Sequence, residues 1–184
     1  MRIIAGTHRG TALTPVGKGD AAAHLRPTTD RVRESLFNVL QGGRFRDPIS
    51  GARVLDLFAG TGALGLEALS RGAAHVTFVD NGRAAQKLIH ANIAKLRRAD
   101  ACTVLSVIAD GLPPADAPCD LIFLDPPYGQ DLGAKALLAA RGWIASGALI
   151  VWEEASPQLA PSGFEMLDQR RYGDTHMTFL RAET

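Results

Sequence analysis

Cysteine is scarce in this chain: Cys102 and Cys119 are the only two among 184 residues. That excludes a multi-disulfide scaffold and a four-thiolate zinc site. Both lie in or beside apolar runs, so buried thiols in a reducing compartment are expected. Long hydrophobic runs are missing too, and none approaches the ~20 residues of a membrane span. The start, Met1-Arg2-Ile3-Ile4-Ala5-Gly6, has no apolar core of the signal-peptide kind, so a cytoplasmic, membrane-free protein is expected. His8, His24, His75, His90 and His176 share no metal-ligand spacing, and no metal is expected. Repeats and low-complexity segments are absent. So is a coiled-coil pattern or a large apolar stripe, and a monomer is expected.

Charge is close to balanced, at +1 overall, but it is unevenly spread. Residues 1–50 hold eight Lys/Arg against four Asp/Glu, whereas residues 51–184 hold twelve against fifteen. A basic first segment on a near-neutral body suggests a polyanion contact at one end. The length suits one domain with a sizeable core: a basic extension over 1–50 and a main body over 51–184.

Residues 1–25 read as a hairpin and loop, punctuated by Gly6, Gly10, Pro15, Gly17 and Gly19. A helix opens after Arg26-Pro27, capped by Thr28, Thr29 or Asp30. Val32, Leu36, Val39 and Leu40 form its apolar stripe, Arg31, Arg33 and Glu34 lie off it, and Gly42-Gly43 ends it. From Arg53 strands and helices alternate. Strands are expected at 54–58, 75–79, 102–108, 119–124 and 148–152. Helices are expected at 63–70, 83–97 and 132–140. An antiparallel hairpin over 165–171 and 176–180 closes the chain, turning at Gly173-Asp174. Such alternation predicts a mostly parallel α/β sheet with helices on both faces.

Two places in that sheet carry chemistry. Gly60-Thr61-Gly62-Ala63-Leu64-Gly65 follows the first strand and opens a helix. Glycines there let backbone approach a ligand, and the helix start offers free N–H groups. Asp80 ends the second strand about 20 residues on, where an acid grips a ribose diol. NAD and S-adenosylmethionine fit these features equally. Asp56 inside the first strand leans toward S-adenosylmethionine, because it can order the glycine loop and help hold a cationic amino acid moiety. Asp110-Gly111 after the third strand offers a carboxylate to an adenine amino group, or simply a turn. The second place is Asp125-Pro126-Pro127-Tyr128, after the apolar run Leu121-Ile122-Phe123-Leu124. Two prolines end the strand and present an acid and an aromatic ring at the carboxyl edge, where open α/β sheets bind ligands. Glu153-Glu154 after the fifth strand could line the site, but read first as a charged strand end.

Taken together, Asp56-Leu57-Phe58-Ala59-Gly60-Thr61-Gly62, Asp80 and Asp125-Pro126-Pro127-Tyr128 resemble a class I S-adenosylmethionine-dependent methyltransferase acting on an amino group. Arg26-Pro27-Thr28-Thr29-Asp30-Arg31-Val32-Arg33-Glu34-Ser35-Leu36-Phe37-Asn38 and Gly62-Ala63-Leu64-Gly65-Leu66-Glu67-Ala68-Leu69-Ser70-Arg71-Gly72 narrow the resemblance to RsmD-type enzymes. These methylate N2 of a guanine in small-subunit (16S) ribosomal RNA. The likeness spans essentially the whole chain and implies a Rossmann-like class I methyltransferase fold. It implies Asp56, Phe58, Ala59, Gly60, Thr61, Gly62, Asp80, Asn81, Asp110 and Gly111 around S-adenosylmethionine. It implies Asp125 and the Pro126 carbonyl accepting from the amino group, Pro127 stiffening the turn and Tyr128 stacking on the base. The family commonly has Glu where Asp80 stands, which shortens that reach by one methylene. Arg2, Arg9, Arg26, Arg31 and Arg33 are candidate phosphate contacts, with Arg26 and Thr28 also placed near the pocket by the family pattern. The substrate would be 16S RNA, bare or in a small-subunit assembly particle. Rival readings are an adenine-N6 DNA methyltransferase, a release-factor glutamine methyltransferase, an NAD-dependent oxidoreductase and a non-catalytic RNA-binding assembly factor.

Overall fold

The computed structural model describes residues 1–17 and 28–183. Seven strands form one sheet in the order β3-β2-β1-β4-β5-β7-β6. In chain order they are β1 (Arg53–Leu57), β2 (His75–Val79), β3 (Cys102–Leu105), β4 (Cys119–Leu124), β5 (Ile144–Glu154), β6 (Phe164–Tyr172) and β7 (Thr175–Ala182). The first five are mutually parallel, and β7 runs antiparallel to both β5 and β6. The helices are α1 (Asp30–Gln41), α2 (Ala63–Ser70), α3 (Arg83–Leu96) and α4 (Leu132–Ala139).

Period-two alternation sorts each central strand onto two cores. Val54, Leu121 and Phe123 face a core built with Leu36, Phe37 and Leu40 of α1, Leu66 and Leu69 of α2 and Ile89 and Ile93 of α3. Their neighbours Leu55, Ile122 and Leu124 face the other core, with Ala136 and Leu137 of α4 and with Trp143. Among the described residues no helix is long and apolar enough to cross a membrane. Cys102 and Cys119 are free thiols, each pushed up to about 11, chiefly by burial. Inert thiols are the consequence.

α2 is buried along its whole length, which requires a very close approach to the sheet. Gly65 makes that approach. A Cβ there would lie 2.5 Å from Phe78 Cε1 and 2.7 Å from Val76 Cγ1. Gly65→Ala is therefore expected to cost about 1–3 kcal/mol through overpacking. That lowers the melting midpoint by roughly 3–10 °C for a chain of this size, read by thermal denaturation. A midpoint unchanged from the parent would show that β2 yields freely.

Several expected boundaries shift. β3 stops at Leu105, three residues early, because its one neighbour β2 ends opposite it at Val79. β5 is longer than expected at both ends, because β4 and β7 pair with it on either side. Phe58 leaves β1 with φ +59, a left-handed backbone uncommon for a bulky residue and most often found at functional turns.

The first residues fold back on themselves through an Arg2–Ala12 bridge and then dock on α2 and α3. Ile4 N and Ala5 N donate to Glu67 Oε2 and Oε1 at 2.8 and 3.0 Å. Thr14 N donates to Asn92 Oδ1 at 2.7 Å, and Asn92 Nδ2 donates to the Thr61 carbonyl at 2.9 Å. This docking corrects the reading of Arg33. Its side chain is fully buried, bonded to the Arg2 carbonyl and Asp30, with its Nε 4.0 Å from Glu67. Burial lowers its pKa, opposed by the Glu67 and Asp30 charges. Glu67, 34 residues away, draws inward a guanidinium that local pattern places in water. Arg33 is thus a structural ion, unable to reach a phosphate from this position.

Candidate active site

The carboxyl ends of β1, β2, β4 and β5 converge on one edge of the sheet. On the β1 side, Phe58–Gly62 link the strand to α2. Gly62 caps α2 with φ +77, a conformation that glycine adopts freely. Asp56 lies beneath this loop, 1% exposed, and its Oδ2 accepts from Gly65 N at 3.0 Å. Burial above all, with the Asp80 charge adding, raises its pKa to about 8, against the Gly65 hydrogen bond. Asp80 braces the same loop from β2: Oδ2 accepts from Gly60 N at 2.9 Å and Oδ1 from Gly82 N at 2.8 Å. Carboxylate oxygens retain further acceptor capacity. Thr61 and Ala59 are buried at the loop's base, and Asn81 is exposed at the head of α3.

Asp110 and Gly111 fall in a turn closed by Gly111 N donating to the Ile108 carbonyl at 2.9 Å. The Asp110 side chain is exposed. The turn-forming role of this pair is what the backbone displays.

Asp125 follows β4 directly, and its backbone N donates to the Leu57 carbonyl at 3.3 Å, so the turn abuts the β1 loop. The residue keeps partial exposure toward the edge. Even so, burial, then Glu153, Asp56 and Glu154, hold its carboxyl well above the usual carboxylate range. Pro126 is buried, and Pro127 and Tyr128 are half-buried. Burial raises the Tyr128 phenol as well.

The preferred reading of Glu153 and Glu154 as a solvated strand end does not hold, because they are 5% and 6% exposed, and the site-lining alternative is the one the structure displays. Glu153 Oε1 accepts from the Tyr128 hydroxyl and Oε2 from the Thr28 hydroxyl, each at 2.9 Å. Glu154 Oε1 accepts from Gly129 N at 3.2 Å and Ala155 N at 2.8 Å. The signal was two adjacent acids ending an apolar strand beside another strand ending in Asp. One step past the Leu124–Trp152 pair, Asp125 comes alongside Glu153.

Among the phosphate candidates, Arg2, Arg9 and Arg31 are exposed and available to a polyanion. Arg26 lies outside the described residues. Thr28 is drawn to the site by Glu153. Among the described residues no cluster of His, Cys, Asp or Glu has metal-site geometry.

The raised acids set a pH response for the free protein. A carboxyl whose folded pKa exceeds its unfolded one stabilises fully below the unfolded value and loses that stabilisation as pH rises through the folded value. For Asp56 the window runs from the ordinary 3.8 to about 8, and Asp125 and Glu153 act in the same sense. The cofactor-free protein is expected to melt at progressively lower temperature from pH 5 to 8. Asp56→Asn, which still accepts from Gly65, should flatten the slope. Superimposable slopes for the two proteins would show that Asp56 is ionised throughout.

Known proteins share this sequence and fold. The family described as conserved hypothetical protein 95 matches residues 1–181. Ribosomal RNA small subunit methyltransferase D of Escherichia coli is 43% identical over 155 residues, covering 83% of this chain and 74% of that protein. The protein of the same name from Haemophilus influenzae is 35% identical over 181 residues, covering 94% and 89%. The solved structure of yhhF from Escherichia coli superposes with a TM-score of 0.82 at 36% identity, covering 100% of this chain and 98% of the other. With its Rossmann-like methyltransferase fold and a match from Met1 to Arg181, the chain belongs to the conserved hypothetical protein 95 family, the family of the RsmD-type proteins.

Proposed function

We propose that this protein transfers the methyl group of S-adenosylmethionine to the exocyclic N2 of a guanine in 16S ribosomal RNA. It would act as a single cytoplasmic methyltransferase domain and as a monomer, on the RNA or on a small-subunit assembly particle. The observation that carries this reading is the abutment of two loops on adjacent strands. The Gly60 loop after β1 and the Asp125 turn after β4 meet where Asp125 N donates to the Leu57 carbonyl. The names of the Escherichia coli and Haemophilus influenzae relatives support ribosomal RNA as the substrate class.

The residues present fit a cationic nucleoside. Asp56 is a buried carboxyl whose pKa of about 8 marks it as short of positive partners, a deficit that a sulfonium and an ammonium relieve. Asp80 retains acceptor capacity toward a ribose, and the start of α2 leaves N–H groups unpaired. When bound, S-adenosylmethionine supplies an electrophilic methyl group.

The chain's own residues handle the acceptor. A guanine amino nitrogen shares its lone pair with the ring. Asp125 and the Pro126 carbonyl accept from the two amino hydrogens, which returns density to nitrogen and fixes its direction. The same oxygens stabilise the positive charge that nitrogen gains as the new bond forms. Asp125 then takes the proton, a step its raised pKa favours. Tyr128 supplies a face for the base, which must leave its stack to reach the turn. Arg2, Arg9 and Arg31 contact phosphates.

The test offers radiolabelled S-adenosylmethionine with small subunits, naked 16S RNA and DNA, followed by nucleoside chromatography. Label is expected in RNA, co-eluting with N2-methylguanosine. Label confined to DNA or to protein would overturn the assignment.

A further inference from the structure

We propose that Glu153 is a positioning residue that sets the plane of the Tyr128 ring and ties it to the start of α1. The inference rests on the methyltransferase reading above, in which Tyr128 receives the acceptor base.

Glu153 is the penultimate residue of β5, with its side chain almost fully enclosed. A strand-end glutamate would ordinarily keep its carboxylate in water, because burying one is costly unless it is well hydrogen-bonded. Here the two oxygens are divided between two distant elements. Tyr128, on the turn after β4, donates to Oε1, and Thr28, just ahead of α1, donates to Oε2. A carboxylate only accepts, so both hydroxyls must donate to it. Tyr128 then has just its lone pairs left for Thr175 Oγ1, 3.3 Å away. With Glu153 ionised, every hydrogen bond around the phenol then has one direction.

A tyrosine has two side-chain torsions, and anchoring its hydroxyl removes the freedom of both. Glu154 holds the next peptide through Gly129 N, so the turn is gripped at the ring's tip and at the backbone that carries it. On the other side, Thr28 precedes Thr29, whose hydroxyl caps α1 by accepting from Val32 N. The first turn of α1, with exposed Arg31, is therefore joined to the ring through one carboxylate. A phosphate seated on that turn bears on the platform for the base.

Tyr128 and Tyr172 are the chain's two tyrosines, so 3-fluorotyrosine labelling gives two fluorine resonances, and Tyr128→Phe assigns them. Thr28→Val and Glu153→Ala are expected to shift or broaden the Tyr128 line and leave the Tyr172 line in place. Each should lower kcat about 10-fold or more, the scale of a hydrogen bond to a charged group, with KM for RNA and cofactor affinity unchanged. Glu153→Gln should recover most of the rate, because its amide accepts from Tyr128 while donating to Thr28. Adding Glu153→Ala to Tyr128→Phe should cost little more than either alone. The proposal fails if Thr28→Val leaves both the Tyr128 line and kcat untouched, or if the two changes are fully additive. Should Glu153→Ala not fold, Thr28→Val and Glu153→Gln decide the matter. Wild-type protein inactive on RNA would instead overturn the proposed function, and the fluorine lines would still report the linkage.

Discussion

Asp125→Ala is expected to lower methyl transfer by roughly 10²–10³-fold, the scale seen when one preorganised polar group is removed from a developing charge. Cofactor affinity should hardly change, because the Gly60 loop, Asp56 and Asp80 are braced by their own hydrogen bonds. A second effect runs the other way. Burial above all, and then the charges of Glu153, Asp56 and Glu154, disfavour ionisation of Asp125. Deleting it removes the cost of burying that carboxyl in an acidic site, so the cofactor-free variant should melt at or above the parent temperature at pH 8. Loss of activity with a gain in stability is the pattern of a site held against its own electrostatics. Single-turnover transfer, cofactor titration and a melting curve test the three parts. A variant that transfers at the parent rate would remove Asp125 from the chemistry.

Glu67→Ala is expected to be the most damaging single change to the fold. Glu67 and Arg33 have fully buried side chains, and Arg71 is 6% exposed at 2.8 Å from Glu67. Removing the acid takes the one fully buried carboxylate from beside both guanidinium groups. Among the described residues that leaves Arg33 hydrogen-bonded only to Asp30 and the Arg2 carbonyl, and Arg71 only to Gln41. Breaking such a pair typically costs about 3–5 kcal/mol. Ile4 and Ala5 lose their acceptors in the same stroke. A drop of roughly 10 °C in the melting midpoint follows for a chain of this size. Hydrogen exchange at the Ile4 and Ala5 amides should quicken more than exchange in β1 or β4. Glu67→Leu combined with Arg33→Met should recover part of the loss, since a buried ion pair exchanged for apolar contacts is often tolerated. A midpoint that barely moves would show that water reaches the guanidinium groups.

How far the sequence carried can be judged element by element. The bounds of α2, β2 and β4 are as expected, because each is a short apolar segment closed by its own turn residues. The parallel direction of β1 to β5 and the closing hairpin also follow from local pattern and crossover rules. β3 and β5 depart because a strand lasts as long as its neighbours do, and the neighbours lie elsewhere in the chain. Arg33 departs because the charge that draws it inward is 34 residues away. At the site, Asp56, Gly60, Asp80 and Asp125 fall together as the spacing suggested. Glu153 and Glu154 were visible as residues but not as partners. Their role depends on β5 lying in register beside β4, a fact that no local window contains.

The order of the last strands has a consequence for how the protein is made. β5 and β6 run in the same direction and do not touch, and β7 lies between them. During synthesis, both leave the ribosome before the strand that joins them. Until β7 arrives, β5 offers an open edge at the border of the acidic site, and β6 has no partner at all. Exposed edges invite pairing with other chains. A nascent chain stalled before Thr175 would therefore be a sticky intermediate. Its Tyr128 would also await Thr175, which β7 brings to the phenol. Sheet closure and completion of the hydrogen bonds around Tyr128 are thus a single late event.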